Sequence, residues 1–170
     1  NGTERVVVSQ LIRSPGVYFE APEDRTTGRR LAAAKLIPDR GAWMEFESRK
    51  SNYLTLKFNR KRTIPVTILL RALAAIDDGT KKPAIREGSD VELLELFAKA
   101  DIDPDHPYIA TTIRQEPTWE RRSGRTVAQE ALVEFYRRMR PGDPPTLDNA
   151  REYLRDQLID PRRYDLERVG

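Results

Sequence analysis

The chain has 170 residues, enough to bury about two-thirds of the surface of its unfolded form and to hold a core without covalent staples. Cysteine is absent, which excludes a disulfide framework, a thiolate metal cluster and a thiol nucleophile, and makes the cytoplasm the expected compartment. Arginine outnumbers lysine by 23 to 7 at a formal net charge of +3, so the arginine preference, rather than net charge, is what suits phosphate or base recognition.

The first sixty or so residues read as strands. "ERVVVSQLI" and "GVYFE" flank a turn at Ser14-Pro15-Gly16, and "RLAAAKLIP", "AWMEFES" and "YLTLKF" follow, separated by the turn clusters "DRGA" and "RKSN". Alternation puts Trp43, Glu45 and Glu47 on one face and Met44 and Phe46 on the other, which predicts a twisted antiparallel meander with Trp43 near a surface. Helical signals take over afterwards. "IPVTILLRALAAI" carries Pro65 at a first-turn position, and Arg71 interrupts its apolar run far short of the ~20 residues that cross a bilayer. "SDVELLELFAKA" opens with a capping box from Ser89 to Glu92 and repeats Val91, Leu94 and Phe97 at helical spacing. "TVAQEALVEFYRRM" has a similar box at Thr126 and Gln129, with Leu132, Phe135 and Met139 on one side. "TLDNAREYLRDQLI" aligns Leu147, Ala150, Tyr153, Leu154 and Leu158. Strands first and helices later imply an α+β fold, strand-rich over 1–63 and helix-rich over 64–170, with loops at 77–90 and 101–107. The termini, Asn1-Gly2 and Val169-Gly170, give the expectation of a single domain excised from a larger chain.

Catalytic chemistry has little to stand on. His106 is the lone histidine, so no triad and no histidine-rich metal site can form, and a loop imidazole is the ordinary reading. Asp101, Asp103 and Asp105 imitate the start of a calcium loop, but His106 and Thr112 stand where glycine and glutamate are required, so no metal site is expected. Basic clusters are better supplied: Arg29-Arg30, Arg60-Lys61-Arg62, Arg121-Arg122, Arg137-Arg138 with Arg140, and Arg162-Arg163. Several fall at element ends, where a side chain can reach a phosphate; each can equally be a solvated face with local carboxylate partners. Trp43 and Trp119 can stack on unpaired bases or simply pack.

Several stretches carry a resemblance. "NGTERVVVSQLIRSPGVYFE" resembles the passage from protrusion to lobe in the β subunit of bacterial RNA polymerase. "IPDRGAWMEFE", "NRKRTIPVTILLRAL", "FYRRMRPGDPPT" and "DPRRYDLERVG" are similar to later blocks of that family, in the same order, whereas residues 74–125 match it loosely. The resemblance implies a noncatalytic lobe beside the DNA cleft of a DNA-directed RNA polymerase, a nucleotidyltransferase whose magnesium-binding aspartates lie on the β′ subunit, so that this chain needs no cofactor of its own. Its partners would be DNA, the β′ and α subunits and sigma factor, with no membrane.

Carried over residue by residue, Arg13 and Trp43 match a basic and a stacking residue at the non-template strand of the transcription bubble, and Arg140 and Arg163 match arginines near the same strand. Arg60, Lys61 and Arg62 form the family's basic hairpin and join the DNA-binding set, while Arg5, Val8 and Gln10 match the edge of the pocket that binds rifamycins. Trp119 and Arg121-Arg122 have no assigned counterpart. Two other readings compete: a protein docking surface for transcription factors, and a free-standing basic nucleic-acid-binding module. A nucleic-acid-processing enzyme would need a nucleophile or metal set that the sequence lacks.

Overall fold

The computed structural model describes residues 2–77, 79, 81–119 and 124–170. Five strands, β1 (Gly16–Glu20), β2 (Ala33–Ile37), β3 (Met44–Ser48), β4 (Leu54–Phe58) and β5 (Thr63–Pro65), form one antiparallel sheet in simple sequence order. Five helices follow among the described residues: α1 (Val66–Leu73), α2 (Asp90–Phe97), α3 (Tyr108–Arg114), α4 (Val127–Met139) and α5 (Leu147–Leu158). The α+β expectation therefore holds, with strands early and helices late.

The main core lies between the sheet and α1, α4 and α5. Met44, Leu56, Phe58 and Ile64 from the sheet meet Ile68 and Leu69 of α1, Leu132, Phe135 and Met139 of α4, and Ala150 and Leu154 of α5. Phe58 and Phe135 cross edge to face with centroids 5.3 Å apart, the arrangement that the ring quadrupoles favour. The stripes expected on α4 and α5 are the ones that pack. A smaller core, Ile85, Leu93 and Ile109 with Phe97, Ile113 and Leu54, joins α2 and α3 to the start of β4. There the Leu54 N–H donates to Thr112 Oγ1 at 2.8 Å.

Helix starts follow side-chain chemistry. Thr126 and Gln129 make the full reciprocal capping box. Ser89 accepts from the Glu92 N–H at 3.2 Å, but Glu92 does not complete its box: its carboxylate accepts instead from the N–H groups of Arg86, Glu87 and Gly88. Pro65 ends β5 and stands at the cap of α1, one residue ahead of the first helical position.

Two expectations need correction, and one helix had no expectation. "ERVVVSQLI" is not a strand, and Ser14-Pro15-Gly16 does not close a hairpin: residues 2–13 have no regular secondary structure and lie outside the sheet, with Val6, Val7 and Val8 at 86%, 95% and 79% exposure. A valine run favours extended backbone, but a strand also needs partners for its N–H and C=O groups, and the described residues provide none. On α2, the buried residue is Leu93, while Val91 and Leu94 are exposed. Residues 108–114 form α3, which sequence reading left unassigned; its leading N–H groups, at Tyr108 and Ile109, donate to the Asp101 carboxylate at 3.0 and 2.7 Å. No helix among the described residues is long and apolar enough to cross a membrane.

Candidate nucleic-acid interface

Sheet register decides which basic residues lie near one another. Val17, Leu36, Met44 and Phe58 stand in one row across β1 to β4, and this row marks one end of the sheet. Trp43 lies one residue before Met44, and Arg60, Lys61 and Arg62 lie just after Phe58, so the register brings these four together. The Asn59 N–H donates to the Trp43 carbonyl at 2.7 Å and the Lys61 N–H to the Phe58 carbonyl at 2.9 Å. Asn59 and Arg60 both have left-handed backbone, φ +48° and +57°, the pattern of a type I′ turn. Glycine is the usual second residue there; an arginine costs about 1 kcal/mol of backbone strain and places a guanidinium at the tip. That guanidinium lies over the Trp43 ring, 4.8 Å from its centroid, so one face of the indole is occupied by a cation.

Lys61 Nζ donates to the Met139 carbonyl at 3.0 Å and so ties the hairpin tip to the C-terminus of α4, where a cation also suits the helix dipole. The next residue, Arg140, caps α4 and lies over the Tyr153 ring at 5.7 Å. Burial raises the pKa of the Tyr153 hydroxyl, with the Arg140 charge opposing the shift, so this ring stays neutral over the ordinary pH range.

Arg163 reaches the same end of the sheet through the backbone. Asp39 N–H donates to the Asp165 carbonyl, and Asp165 N–H to the Arg40 carbonyl, each at 2.9 Å. Gly41 packs so closely that a Cβ there would lie 2.6 Å from Tyr164 Cδ2 and 3.0 Å from the Arg163 carbonyl oxygen, at a φ of +120°. The Arg163 side chain is itself paired, with Nη1 2.7 Å from Asp156 Oδ2.

Arg13 leaves the same end of the sheet from β1, on the far edge, and its guanidinium lies over Tyr18 at 5.2 Å. Three strand spacings, about 14 Å, separate β1 from β4. Arg5, Val8 and Gln10 are exposed on the N-terminal segment and join none of these groups. Among the described residues, no ion pair engages Arg13, Arg60, Arg62 or Arg140, in contrast to Arg163. Sequence reading missed Tyr18 and Tyr153, which hold Arg13 and Arg140, and Arg40, which it treated only as part of a turn; none carries a local motif.

Other basic clusters have structural duties. Arg29 donates to Asn52 Oδ1 and to the Tyr108 hydroxyl, and Arg137 and Arg138 share Glu134. Trp119 packs against the main core and its Nε1–H donates to Glu116 at 3.0 Å. His106 pairs with Asp103, whose pKa the imidazole and backbone donors lower. Arg121 and Arg122 lie outside the described residues. No group of three or more metal-ligating side chains occurs among the described residues.

A family profile described as RNA polymerase Rpb2, domain 2, matches residues 13–170. Over the full chain, the sequence is 52% identical to a DNA-directed RNA polymerase subunit beta of Chloroflexus aggregans, of which it covers 14%. It is 44% identical to the subunit of that name in Dehalococcoides mccartyi and 41% identical to that in Listeria welshimeri, covering 12% of each. The chain thus spans about one-seventh or less of the length of the curated relatives it matches. It belongs to the RNA polymerase Rpb2, domain 2, family, as a stretch of a bacterial DNA-directed RNA polymerase β subunit.

Proposed function

We propose that the chain is a single noncatalytic lobe domain flanking the DNA cleft of a DNA-directed RNA polymerase, contacting the non-template strand of the transcription bubble and the DNA beside it. The observation that carries this reading is the gathering of Trp43, Arg60, Lys61, Arg62, Arg140 and Arg163 at one end of the sheet, with Arg60 and Arg140 held over aromatic rings and in no ion pair among the described residues. Trp43 is half-buried with Arg60 over one face of its indole, so a base would stack on the opposite face, and arginines at turn tips and helix ends suit phosphates. Nucleotidyl transfer and its magnesium belong to the assembled enzyme with β′, α and sigma factor. The exposed segment carrying Arg5, Val8 and Gln10 supplies the edge of a rifamycin pocket completed by other parts of the subunit.

Trp43→Ala in the assembled polymerase tests the stacking role. Loss of one base–indole contact, worth about 1–3 kcal/mol, should shorten promoter open-complex lifetime by roughly five-fold to a hundred-fold and flatten the preference for the non-template base concerned. An unchanged lifetime and base preference would remove Trp43 from the interface. Arg60→Gly separates contact from folding: glycine relieves the left-handed backbone, so stability should hold or rise while DNA contact weakens.

A further inference from the structure

The other end of the sheet has the opposite chemistry. Arg30, Ser48 and Leu54, which mark that end, line a cavity of about 250 Å³ with Phe97, Tyr108 and Ile109 of the α2–α3 unit. Between Glu87 and Asp105 the chain carries seven carboxylates and a single lysine, Lys99. Along this stretch lies a set of exposed apolar side chains: Val91 at 63%, Leu94 at 42%, Leu96 at 44% and Ile102 at 76%. Apart from the N-terminal segment, β1 and Val169, these are the exposed large apolar residues among the described ones.

On α2 the spacing of Val91, Leu94 and Ala98 places them along one ridge, next to the buried Leu93 rather than beneath it. The helix is thus apolar over a wider arc than the protein covers, and Val91 opens into a hollow of about 390 Å³ that Arg86, Glu87, Glu92 and Glu95 also line, one guanidinium against three carboxylates. The Glu92 carboxylate is held by backbone N–H groups and faces the Arg86 charge, and Asp90 is held by Arg71, so Glu87 and Glu95 remain as exposed carboxylates beside the ridge.

We propose that this face of α2 docks an amphipathic helix with a basic polar side, contributed by a separate partner protein. The charge selects the occupant. Carboxylates beside the ridge repel nucleic acid and anionic lipid headgroups, and a second copy of the same face would bring like charges together. A helix offers apolar side chains at the spacing of the Val91–Leu94–Ala98 ridge and can place lysines or arginines against Glu87 and Glu95. A two-turn ridge buries little area, so the complex is weak and transient. The proposal is independent of the DNA reading, since the two surfaces lie at opposite ends of the sheet.

The test uses assembled polymerase and a fluorescent synthetic helix of leucine and lysine, about 18 residues or five turns long, with a leucine–glutamate peptide of the same pattern as control. Fluorescence anisotropy should show the lysine peptide binding the wild-type enzyme about tenfold more tightly than a Val91→Ser/Leu94→Ser enzyme, with Glu95→Lys also weakening it. The glutamate peptide should bind neither. Equal affinity for wild type and the serine pair, equal binding of both peptides, or failure of the serine pair to assemble would each overturn the proposal, the last because it would mean that the enzyme itself covers the face.

Discussion

Arg71 is 1% exposed and sits in the last turn of α1, where an uncompensated buried guanidinium would be intolerable. Its Nε donates to both Glu116 oxygens at 3.0 and 3.1 Å, Nη1 donates to the Gly88 carbonyl at 2.6 Å, and Nη2 pairs with Asp90. One side chain thereby pins α1 to the cap of α2 and to the segment after α3. Gly88 must stay small at this clamp, because a Cβ there would lie 3.1 Å from Arg71 Cα at a φ of +65°. Arg71→Met should destabilise the chain by about 3–5 kcal/mol, because it strands the buried Glu116 carboxylate, and Arg71→Met/Glu116→Leu should recover part of the loss. Denaturant unfolding of the two variants measures both. From sequence, Arg71 is legible only as a break in an apolar run; its three partners lie 17 to 45 positions away, and no local pattern marks them.

At the level of elements, α2 shows how far periodicity reaches. Its N-cap at Ser89 is readable because capping is local chemistry, whereas the choice of Leu93 over Val91 and Leu94 as the buried residue depends on where Ile85 and Ile109 arrive. The Glu92 carboxylate is the element's other fixed point. Burial disfavours its charge, but the three backbone N–H donors outweigh that and lower its pKa from the ordinary 4.5. A carboxylate whose pKa is lowered in the folded state contributes stability above the unfolded value that disappears as pH falls through the folded one. Glu92→Gln should therefore cost about 1 kcal/mol at neutral pH, with the gap to wild type closing as pH falls below 4.5, as pH-dependent unfolding would show. On α4, where the capping box is complete, Thr126→Ala should cost about 1 kcal/mol in the same measurement.

For the whole molecule, a net charge of +3 conceals a division between two ends. One end of the sheet gathers arginines over aromatic rings, and the other carries the carboxylate-rich α2–α3 unit. If the basic end meets DNA as proposed, Arg62→Ala should weaken promoter binding by a similar factor across sequences and lower the slope of log K against log salt by about 1, while Arg163→Ala should do less because Asp156 already neutralises that side chain. Salt titration of open-complex formation distinguishes them.

The sequence by itself determined the α+β class with strands early and helices late, the N-cap residues of α2 and α4 and the packed stripes of α4 and α5, because each depends on residues near one another in the chain. Its resemblance to the β subunit rests on ordered blocks, and the family match agrees with it. Tertiary structure alone decided that the valine run stays out of the sheet, that Arg71 is the buried clamp and that α2 leaves part of its apolar arc uncovered. It also decided that strand register and the bond from Lys61 to Met139 carry Trp43, Arg60 and Arg140 to one place. These outcomes turn on partners far away in the chain, and a hydrophobic or charged residue carries no local record of which distant group will meet it.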